Sequence, residues 1–342
     1  MNHTDSDLRN LSFQIDYPLI RPRIAMFNVI KRCNAGCQYC ADWKNDPNPN
    51  TDPPASEIKR IIDDLKSLGV KVVMFTGGEP LLRKDIFDLM EYVRNLDLEV
   101  SIITNGTALT EEGVHRLAKM NASKVGVSID SLDQSRMLEI RRLKIARVLK
   151  SVRMLAGFRK NLYPNLNVTL YVTVNRINIG DLLPMAEFAK DLDISIQYQP
   201  VHFSGSGTPD QVLENLWPDA NEIGNLRLVI DSLIAKKREG YPINSREEFL
   251  AQIPNFFRDK TFYPGDQCSV AYTDVVIDTE FGLRPCWPME PIAYLNDERT
   301  NIRDIWYSDE MKRVRKLIRE KKCPGCLYAC HLNKSYTLLP PI

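Results

Sequence analysis

Three cysteines near the start of the chain are the residues whose type and spacing most clearly predict chemistry. Cys33, Cys37 and Cys40 are separated by three and then two residues and follow an apolar run. Three thiols so close together cannot all pair as disulfides, and a structural zinc site normally takes four protein ligands. An iron-sulfur cube also takes four ligands, so three cysteines would leave one iron open to another molecule. The spacing therefore indicates an incomplete metal site, with a cysteine-rich zinc loop as the alternative.

A second group of cysteines lies in the last quarter of the chain. It consists of Cys268, Cys286, Cys323, Cys326 and Cys330. Because the chain shows no export signal, clustered cysteines indicate metal ligands in a reducing compartment rather than a disulfide framework. Five thiols can supply the ligands of one further iron-sulfur cluster with one thiol left over, but they cannot build two. A four-cysteine zinc ribbon is the alternative here.

The elements that would position the first group alternate regularly between strand and helix. Strands are predicted at 24–30, 70–75, 98–103, 124–129, 167–174 and 194–198. Helices are predicted from Ser56 to the closing Gly69 and over 85–95, 111–120, 135–158 and 181–192. Right-handed crossovers would curl such a parallel sheet towards a partial barrel, although the alternation alone equally allows a doubly wound sheet. Further helices are predicted at 219–237 and from Ser245, where Glu248 would complete a capping box.

Polar residues follow the predicted strands at the ends where parallel-strand enzymes place their chemistry. The second strand runs into Gly77, Gly78, Glu79 and Pro80, in which glycines allow close backbone approach and Glu79 offers a carboxylate. Asn105 follows the third strand, and Ser128 and Asp130 lie at the end of the fourth. Ser128 could instead be a small core residue. These strand ends are expected to bind a ligand.

The cysteine spacing, Tyr39 directly before Cys40 and the Gly-Gly-Glu-Pro turn together resemble the radical S-adenosylmethionine (SAM) enzymes. The resemblance implies an open six-stranded βα barrel and a 4Fe-4S cluster on Cys33, Cys37 and Cys40. It also implies that SAM chelates the open iron through its amino and carboxylate groups. An electron from the cluster would then cleave SAM to a 5′-deoxyadenosyl radical, which removes hydrogen from a substrate C-H bond. The implied electron donor is a reductase, a flavodoxin or a ferredoxin.

The same resemblance gives the strand-end residues roles in SAM binding. Gly77, Gly78, Glu79 and Pro80 would bind the methionyl ammonium group, Asn105 matches an asparagine turn, and Ser128 and Asp130 would reach the carboxylate and ribose. Tyr39 would lie beside the adenine. Two stretches depart from the family pattern. Residues 197–200 lack the glycines often found near the adenine, and 140–144 lack the Arg-Gly-x-x-Gly motif of many peptide-modifying relatives.

The C-terminal cysteines resemble the auxiliary-cluster domains called SPASM, in the shortened, single-cluster form called twitch. This implies one auxiliary 4Fe-4S cluster, with Cys268, Cys286, Cys326 and then Cys323 as the preferred ligands. Cys330 would replace one of them, donate a hydrogen atom or be spare. The basic stretch 309–322 is predicted to be an amphipathic helix with a solvated charged face.

The predicted fold class is therefore α/β, a partial six-stranded βα barrel with a small C-terminal α+β iron-sulfur domain. The expected divisions are a lead-in at 1–23, the barrel at 24–203, a linker with bridging helices at 204–260 and the auxiliary-cluster domain at 261–342. The lead-in is too short for the leader-peptide-binding domain of many peptide-modifying relatives.

Charge and composition limit the partners. Lys and Arg number 45 against 44 Asp and Glu, so the net charge of +1 gives no electrostatic reason to expect nucleic acid or an anionic membrane. No apolar run approaches the roughly eighteen residues of a membrane span. We expect a cytoplasmic enzyme that modifies a peptide or protein, with a sugar or aminocyclitol dehydrogenase or epimerase as the alternative. A structural zinc or nucleic-acid-binding protein is the competing class.

Overall fold

The computed structural model describes residues 5–40, 52–202, 214–259, 268–297 and 299–328, and it confirms the predicted α/β class. The strands are β1 (Ile24–Asn28), β2 (Val72–Thr76), β3 (Glu99–Thr104), β4 (Lys124–Ser128), β5 (Val168–Val174), β6 (Ser195–Pro200), β7 (Asp274–Ile277), β8 (Gly282–Arg284) and β9 (Ala293–Tyr294). The helices are α1 (Asp5–Ile15), α2 (Ala55–Leu68), α3 (Ile86–Asn95), α4 (Glu111–Lys119), α5 (Gln134–Arg141), α6 (Ile145–Asn161), α7 (Leu182–Asp191), α8 (Ala220–Arg238), α9 (Glu247–Arg258), α10 (Val270–Thr273), α11 (Ile302–Trp306) and α12 (Asp309–Arg319).

The chain forms two compact units. The first contains Met1–Cys33, Asn45–Ile102 and Gln267–Pro324, and the second contains Asn34–Lys44, Ile103–Asp266 and Gly325–Ile342. In the first unit the strand order is β3-β2-β1-β7-β8-β9, with β8 and β9 antiparallel. In the second unit β4, β5 and β6 are neighbouring parallel strands. Neither set of described strands closes on itself. The predicted domain boundaries stay a prediction.

Strand β1 is the centre of the first unit because it pairs with a strand on each side. Ile24 lies opposite Val72 of β2 and opposite Asp274 of β7, and both pairings are parallel. The apolar run of β1 is accordingly buried, as expected for a strand inside a parallel sheet. The sequence did not predict the pairing of β7 with β1. That strand adds a parallel neighbour from the C-terminal part of the chain.

Helix α2 shows why the first crossover forms where the sequence places it. Its buried positions, Ile58, Ile61, Ile62, Leu65 and Leu68, recur with helical spacing. Gly69 ends the helix in the left-handed conformation with φ 101°, and its N–H is bonded to the carbonyls of Leu65 and Lys66. The predicted closing glycine is confirmed. The N-cap is Pro54 rather than Ser56.

Two further local predictions were wrong. The helix predicted over 135–158 is two helices, α5 and α6, because Arg142 adopts the left-handed conformation with φ 55°. The capping box at Ser245 does not form. Its hydroxyl instead accepts from the backbone N of Tyr198 at 2.9 Å, and α9 begins after Arg246 without a side-chain cap. The N-terminal lead-in contains a helix, α1.

In the part of the chain that the structure describes, every helix is too short or too polar to cross a membrane.

Candidate cofactor site

The loop that carries Cys37 is held by the end of helix α5. The backbone N–H groups of Gly36 and Gln38 donate to the carbonyls of Arg141 and Ile140, each at 2.9 Å. The Gln38 side chain adds a bond to the carbonyl of Glu139 at 2.8 Å. The last carbonyls of a helix have no partner within the helix, so the loop satisfies them. Cys37 is thereby fixed on both sides by the same helix end.

Arg142 lies where α5 stops and its side chain packs on this loop. A Cβ added to Gly36 would lie 2.7 Å from Arg142 Cδ, so Gly36 leaves the space that the arginine occupies. The left-handed conformation usually favours glycine or asparagine at a helix end. This is the stretch in which the sequence departs from the Arg-Gly-x-x-Gly pattern, and the structure shows that the backbone turn is made without glycine.

The carboxylate of Asp130 is completely buried and accepts four hydrogen bonds. Arg141 donates to it twice, from Nε to Oδ2 at 2.7 Å and from Nη2 to Oδ1 at 3.2 Å. The Tyr39 hydroxyl donates to Oδ2 at 2.8 Å, and the backbone N of Thr173 donates to Oδ1 at 2.8 Å. Burial alone would lower the pKa of Arg141, but Asp130 opposes this and the pKa is well above its usual value. The guanidinium of Arg141 therefore keeps its charge although it is buried.

The remaining side of the Arg141 guanidinium faces a predicted cluster ligand. Its Nη1 lies 3.8 Å from Cys37 Sγ, within hydrogen-bonding distance for sulfur. Cys37 is buried, and burial raises the pKa of its thiol while the Arg141 charge lowers it. Burial also raises the pKa of Tyr39 well above its usual value, so the tyrosine stays a neutral donor to Asp130. The triad loop thus contains a thiol with a cation beside it.

Asn105, predicted from the asparagine turn, holds the start of the same loop. Its Nδ2 donates to Asn34 Oδ1 at 2.8 Å, and its Oδ1 accepts from the backbone N of Thr107 at 2.9 Å. Asn34 in turn donates to the Thr107 hydroxyl at 2.8 Å. Asn105 therefore orders the residue that directly follows Cys33.

The Gly-Gly-Glu-Pro turn packs against the chain that leads into Cys33. Gly78 N donates to Ile30 O and Glu79 N donates to Arg32 O, both at 2.8 Å. A Cβ on Gly78 would lie 2.1 Å from Arg32 O, so only glycine allows this approach. Glu79 is completely buried, and its Oε1 accepts from Leu81 N at 3.0 Å. Pro80 begins the short 3-10 turn Pro80–Leu82.

Ser128, a predicted site residue, lies at the end of strand β4. It lies opposite Tyr171 of β5 in the parallel register and is half-buried. Among the described residues, nothing is bonded to its Oγ. The hydroxyl is therefore available to a ligand, unlike the Asp130 carboxylate.

Sequence reasoning missed two arginines that hold this site. Arg141 was noted only for the missing glycine after it, and Arg83 was not singled out. Arg83 Nη1 donates to Val29 O at 2.9 Å while the guanidinium pairs with Asp85, which fixes the end of β1. Neither arginine belongs to a recognisable motif. For Arg141, the buried apolar positions Met137 and Ile140 on the same helix are the available signal.

The C-terminal cysteines are divided between the units. Cys268, Cys286 and Cys323 belong to the first unit and Cys326 to the second, while Cys330 lies outside the described residues. Cys326 is buried and the other three are half-buried.

A buried arginine stands out in the first unit. Arg315 of α12 is completely buried rather than solvated as predicted, with its guanidinium between the rings of Tyr272 and Trp306. It donates to the carbonyls of Ala271 and Trp306 at 2.9 and 2.8 Å. Within the described residues, Arg315 Nη1, Tyr272 Oη and Trp306 Nε1 have no hydrogen-bond partner. Burial lowers the pKa of Arg315 to about 10.

The environment of Tyr272 connects this arginine with a predicted ligand. Burial raises the pKa of Tyr272 to about 12, and Asp16 and, to a smaller extent, Cys268 act in the same direction. An anionic acceptor would suit the donors of Arg315, Tyr272 and Trp306, which are buried and have no hydrogen-bond partner among the described residues. A thiolate-ligated cluster is such a group.

In the ranges that the structure describes, no three His, Cys, Asp or Glu side chains converge on a single metal ion. In an iron-sulfur cube each thiolate binds a different iron, so the ligands of one cluster do not converge on a single ion.

Part of the chain matches a known family. Residues 27–189 match the model of the Radical SAM superfamily. Fe-coproporphyrin III synthase of Methanosarcina barkeri is 28% identical over 224 residues, which cover 64% of this chain and 53% of that protein. GTP 3′,8-cyclase of Clostridium perfringens is 29% identical over 180 residues, 51% of this chain and 54% of that one. The chain therefore spans about half the length of these curated relatives.

A solved structure shows the fold over nearly the whole chain. Streptococcus suis SuiB bound to its precursor peptide SuiA matches with a TM-score of 0.67 and 18% identity, covering 97% of this chain and 79% of SuiB. SuiB bound to S-adenosylmethionine matches with a TM-score of 0.68 and 17% identity, covering 93% of this chain and 75% of SuiB. The fold is that of SuiB, a mixed α/β architecture with a parallel sheet.

Proposed function

We propose that this chain is a radical SAM enzyme, in which Cys33, Cys37 and Cys40 hold a 4Fe-4S cluster whose fourth position binds SAM, because residues 27–189 match the Radical SAM superfamily model. The observation that carries this proposal is the family match over 27–189, which contains the triad, the Gly-Gly-Glu-Pro turn and Ser128. When bound, the reduced cluster supplies an electron to the SAM sulfonium and yields the 5′-deoxyadenosyl radical.

The residues of the chain bind and orient SAM and exclude water from it. In this proposal the Ser128 hydroxyl and the Gly77, Gly78, Glu79 and Pro80 turn contact SAM, and Tyr39 lies near the adenine. The α5 end and Asn105 keep the triad loop in one conformation, since both bond to residues directly beside the cysteines. Such preorganisation matters because a radical that meets solvent or a misplaced group is lost to side reactions.

Replacing the three triad cysteines with alanine tests the cofactor chemistry. Without the thiolates the cluster has no ligands, so we expect dithionite-reduced variants to form no 5′-deoxyadenosine from SAM, measured by chromatography. Cys268→Ala is the matched control, because it removes one thiol from the other group and should leave SAM cleavage in place. Continued 5′-deoxyadenosine formation by the triad variants would refute the assignment.

For the substrate, the proposal is a peptide or protein from which the radical removes hydrogen at a C-H bond. The likeness to SuiB over 97% of this chain supports it, because SuiB is seen with its precursor peptide. A candidate peptide encoded beside the gene, deuterated at its carbon positions, should transfer deuterium into 5′-deoxyadenosine as measured by mass spectrometry. Unlabelled 5′-deoxyadenosine with every such peptide would count against a peptide substrate.

A small-molecule substrate is the second candidate. It is favoured by the curated relatives, whose names specify coproporphyrin and GTP chemistry, and by the stretch 140–144, in which Arg142 replaces the expected glycine. The form considered is a sugar or aminocyclitol dehydrogenase or epimerase. Deuterium transfer from a labelled sugar, and not from a peptide, is the result that would select it.

The remaining parts of the proposal concern the second cluster and the partners. Four of the five C-terminal cysteines would hold an auxiliary 4Fe-4S cluster in a SPASM or twitch-type domain, and the unpartnered donors of Arg315 and Tyr272 support an anionic group there. Cys330 would be a ligand, a hydrogen donor or spare. A reductase, flavodoxin or ferredoxin would supply electrons in the cytoplasm, where thiols stay reduced.

A further inference from the structure

The guanidinium of Arg141 uses its donors in two opposite directions. Nε and Nη2 form a fork on Asp130, while Nη1 on the other side points at Cys37 Sγ. The arginine side chain is 7% exposed and the aspartate side chain 0% exposed. An arginine whose only role was to pair with Asp130 would not need its third nitrogen beside a thiol.

The position of this guanidinium is determined by more than the ion pair. Asp130 is itself held by Tyr39 and Thr173, and its backbone carbonyl accepts from Asn178 Nδ2 at 2.8 Å. The backbone carbonyl of Arg141 accepts from Gly36 N, one residue before Cys37. Both ends of the arginine are therefore attached to the cysteine loop. The N–H···S contact between Arg141 and Cys37 follows from these hydrogen bonds, which fix the position of the arginine.

A hydrogen bond to a cluster thiolate favours the more negatively charged, reduced state of the cluster and so raises its reduction potential. The effect is larger in a buried site, where the effective dielectric constant is low. Arginine suits the role because it keeps its charge at every working pH and its planar fork binds a carboxylate at two points. Asp130 partly balances the positive charge of the Arg141 guanidinium and, through its two bonds, aligns Nη1 with Cys37.

We propose that Arg141 is a positioning residue that donates an N–H···S hydrogen bond to Cys37 and thereby raises the reduction potential of the cluster on the triad, with Asp130 and Tyr39 fixing the guanidinium. The proposal rests on the proposed function, since it requires a cluster at the triad. It gives Asp130 the task of orienting Arg141 rather than of contacting SAM.

The test is a potentiometric titration of the reconstituted full chain, followed by the electron paramagnetic resonance signal that changes when SAM is added. That change marks the triad cluster and separates it from an auxiliary one. Arg141→Met keeps the length of the side chain but removes the donor, so the midpoint potential should shift to more negative values. Arg141→Lys keeps the charge without the fork and should shift in the same direction by a smaller amount.

Arg136→Met is the matched control. Arg136 is on the same helix, carries the same charge and pairs with Asp181, but its side chain is 45% exposed. Its replacement should leave the potential unchanged. An unchanged potential in Arg141→Met with wild-type iron content would overturn the proposal, as would an equal shift in Arg136→Met. Failure of both Arg141 variants to load iron, with normal loading of Arg136→Met, would show a role in assembly and also overturn it.

The experiments distinguish an error in the proposed function from an error in the role of Arg141. If the wild-type chain binds no SAM-responsive cluster, the proposed function is wrong. If the wild-type chain binds it and cleaves SAM while the Arg141 variants keep its potential, only the role of Arg141 is wrong.

Discussion

Replacing Gly78 with alanine is the perturbation for which the structure gives the clearest steric consequence near the triad. The added Cβ would lie 2.1 Å from Arg32 O, 2.6 Å from Arg32 C and 2.6 Å from Lys31 O. All three atoms belong to the backbone, so no side chain can rotate away. The turn and the chain leading into Cys33 must separate by about 1.3 Å to bring the 2.1 Å approach to an ordinary contact of 3.4 Å.

Such a separation breaks two backbone hydrogen bonds. Those from Gly78 to Ile30 and from Glu79 to Arg32 are 2.8 Å long, and lengthening them by that amount takes them beyond bonding distance. Each bond contributes about 1 kcal/mol and overpacking costs about 1–3 kcal/mol, so the free energy of unfolding should fall by about 3–5 kcal/mol. Because the displaced chain ends at Cys33, bound iron should fall too.

The assays are urea unfolding followed by circular dichroism and iron analysis after reconstitution. Gly157→Ala is the matched control, since Gly157 lies within α6 and an added Cβ there would meet nothing within 4 Å. Alanine should stabilise that helix by about 1 kcal/mol. Replacement by alanine is thus expected to lower the free energy of unfolding at Gly78 and to raise it at Gly157. Wild-type stability and iron content in Gly78→Ala would refute the reasoning.

Two further predictions concern buried polar groups. Burial raises the pKa of Asp274 to about 7 in the folded protein, whereas the value in the unfolded chain is near 3.9. Ionisation of Asp274 therefore destabilises the fold increasingly as the pH rises from about 4 to 7. The loss in the free energy of unfolding reaches about 4 kcal/mol. Asp274→Asn should therefore gain stability over the wild type from pH 5 to 8 in urea titrations, whereas exposed Asp231→Asn should not, and a difference independent of pH would contradict the burial argument. Ser245→Ala loses the bonds to both backbone groups of Tyr198 and should lower the free energy of unfolding by about 1–3 kcal/mol, while a wild-type unfolding midpoint would show that these bonds are dispensable.

The strands and most helices could be predicted because their signals are local. Each of the first six strands begins within two residues of its predicted start, and Gly69 ends α2 as expected. The break between α5 and α6 could not be predicted, because the residue in the left-handed conformation is an arginine within a continuous helical pattern. Conformation there is set by packing on Gly36, which is distant in sequence.

Predictions that failed did so where long-range contacts decide the outcome. Ser245 has the sequence of an N-cap, but its hydroxyl is taken by strand β6. Arg315 lies among charged residues in the sequence, yet its guanidinium is buried between two aromatic rings. The cysteine motif resembles the family whose model matches residues 27–189, whereas the contact of Arg141 with Cys37 could be found only from the structure.

The proposed function requires that the triad leaves one iron open and that SAM occupies it. The direct measurement is the electron paramagnetic resonance spectrum of the dithionite-reduced full chain with and without SAM. The account predicts that SAM changes the signal of one cluster, and that the change is absent from the variant with alanine at Cys33, Cys37 and Cys40. A spectrum that SAM leaves unaltered in the iron-loaded wild-type protein would contradict it.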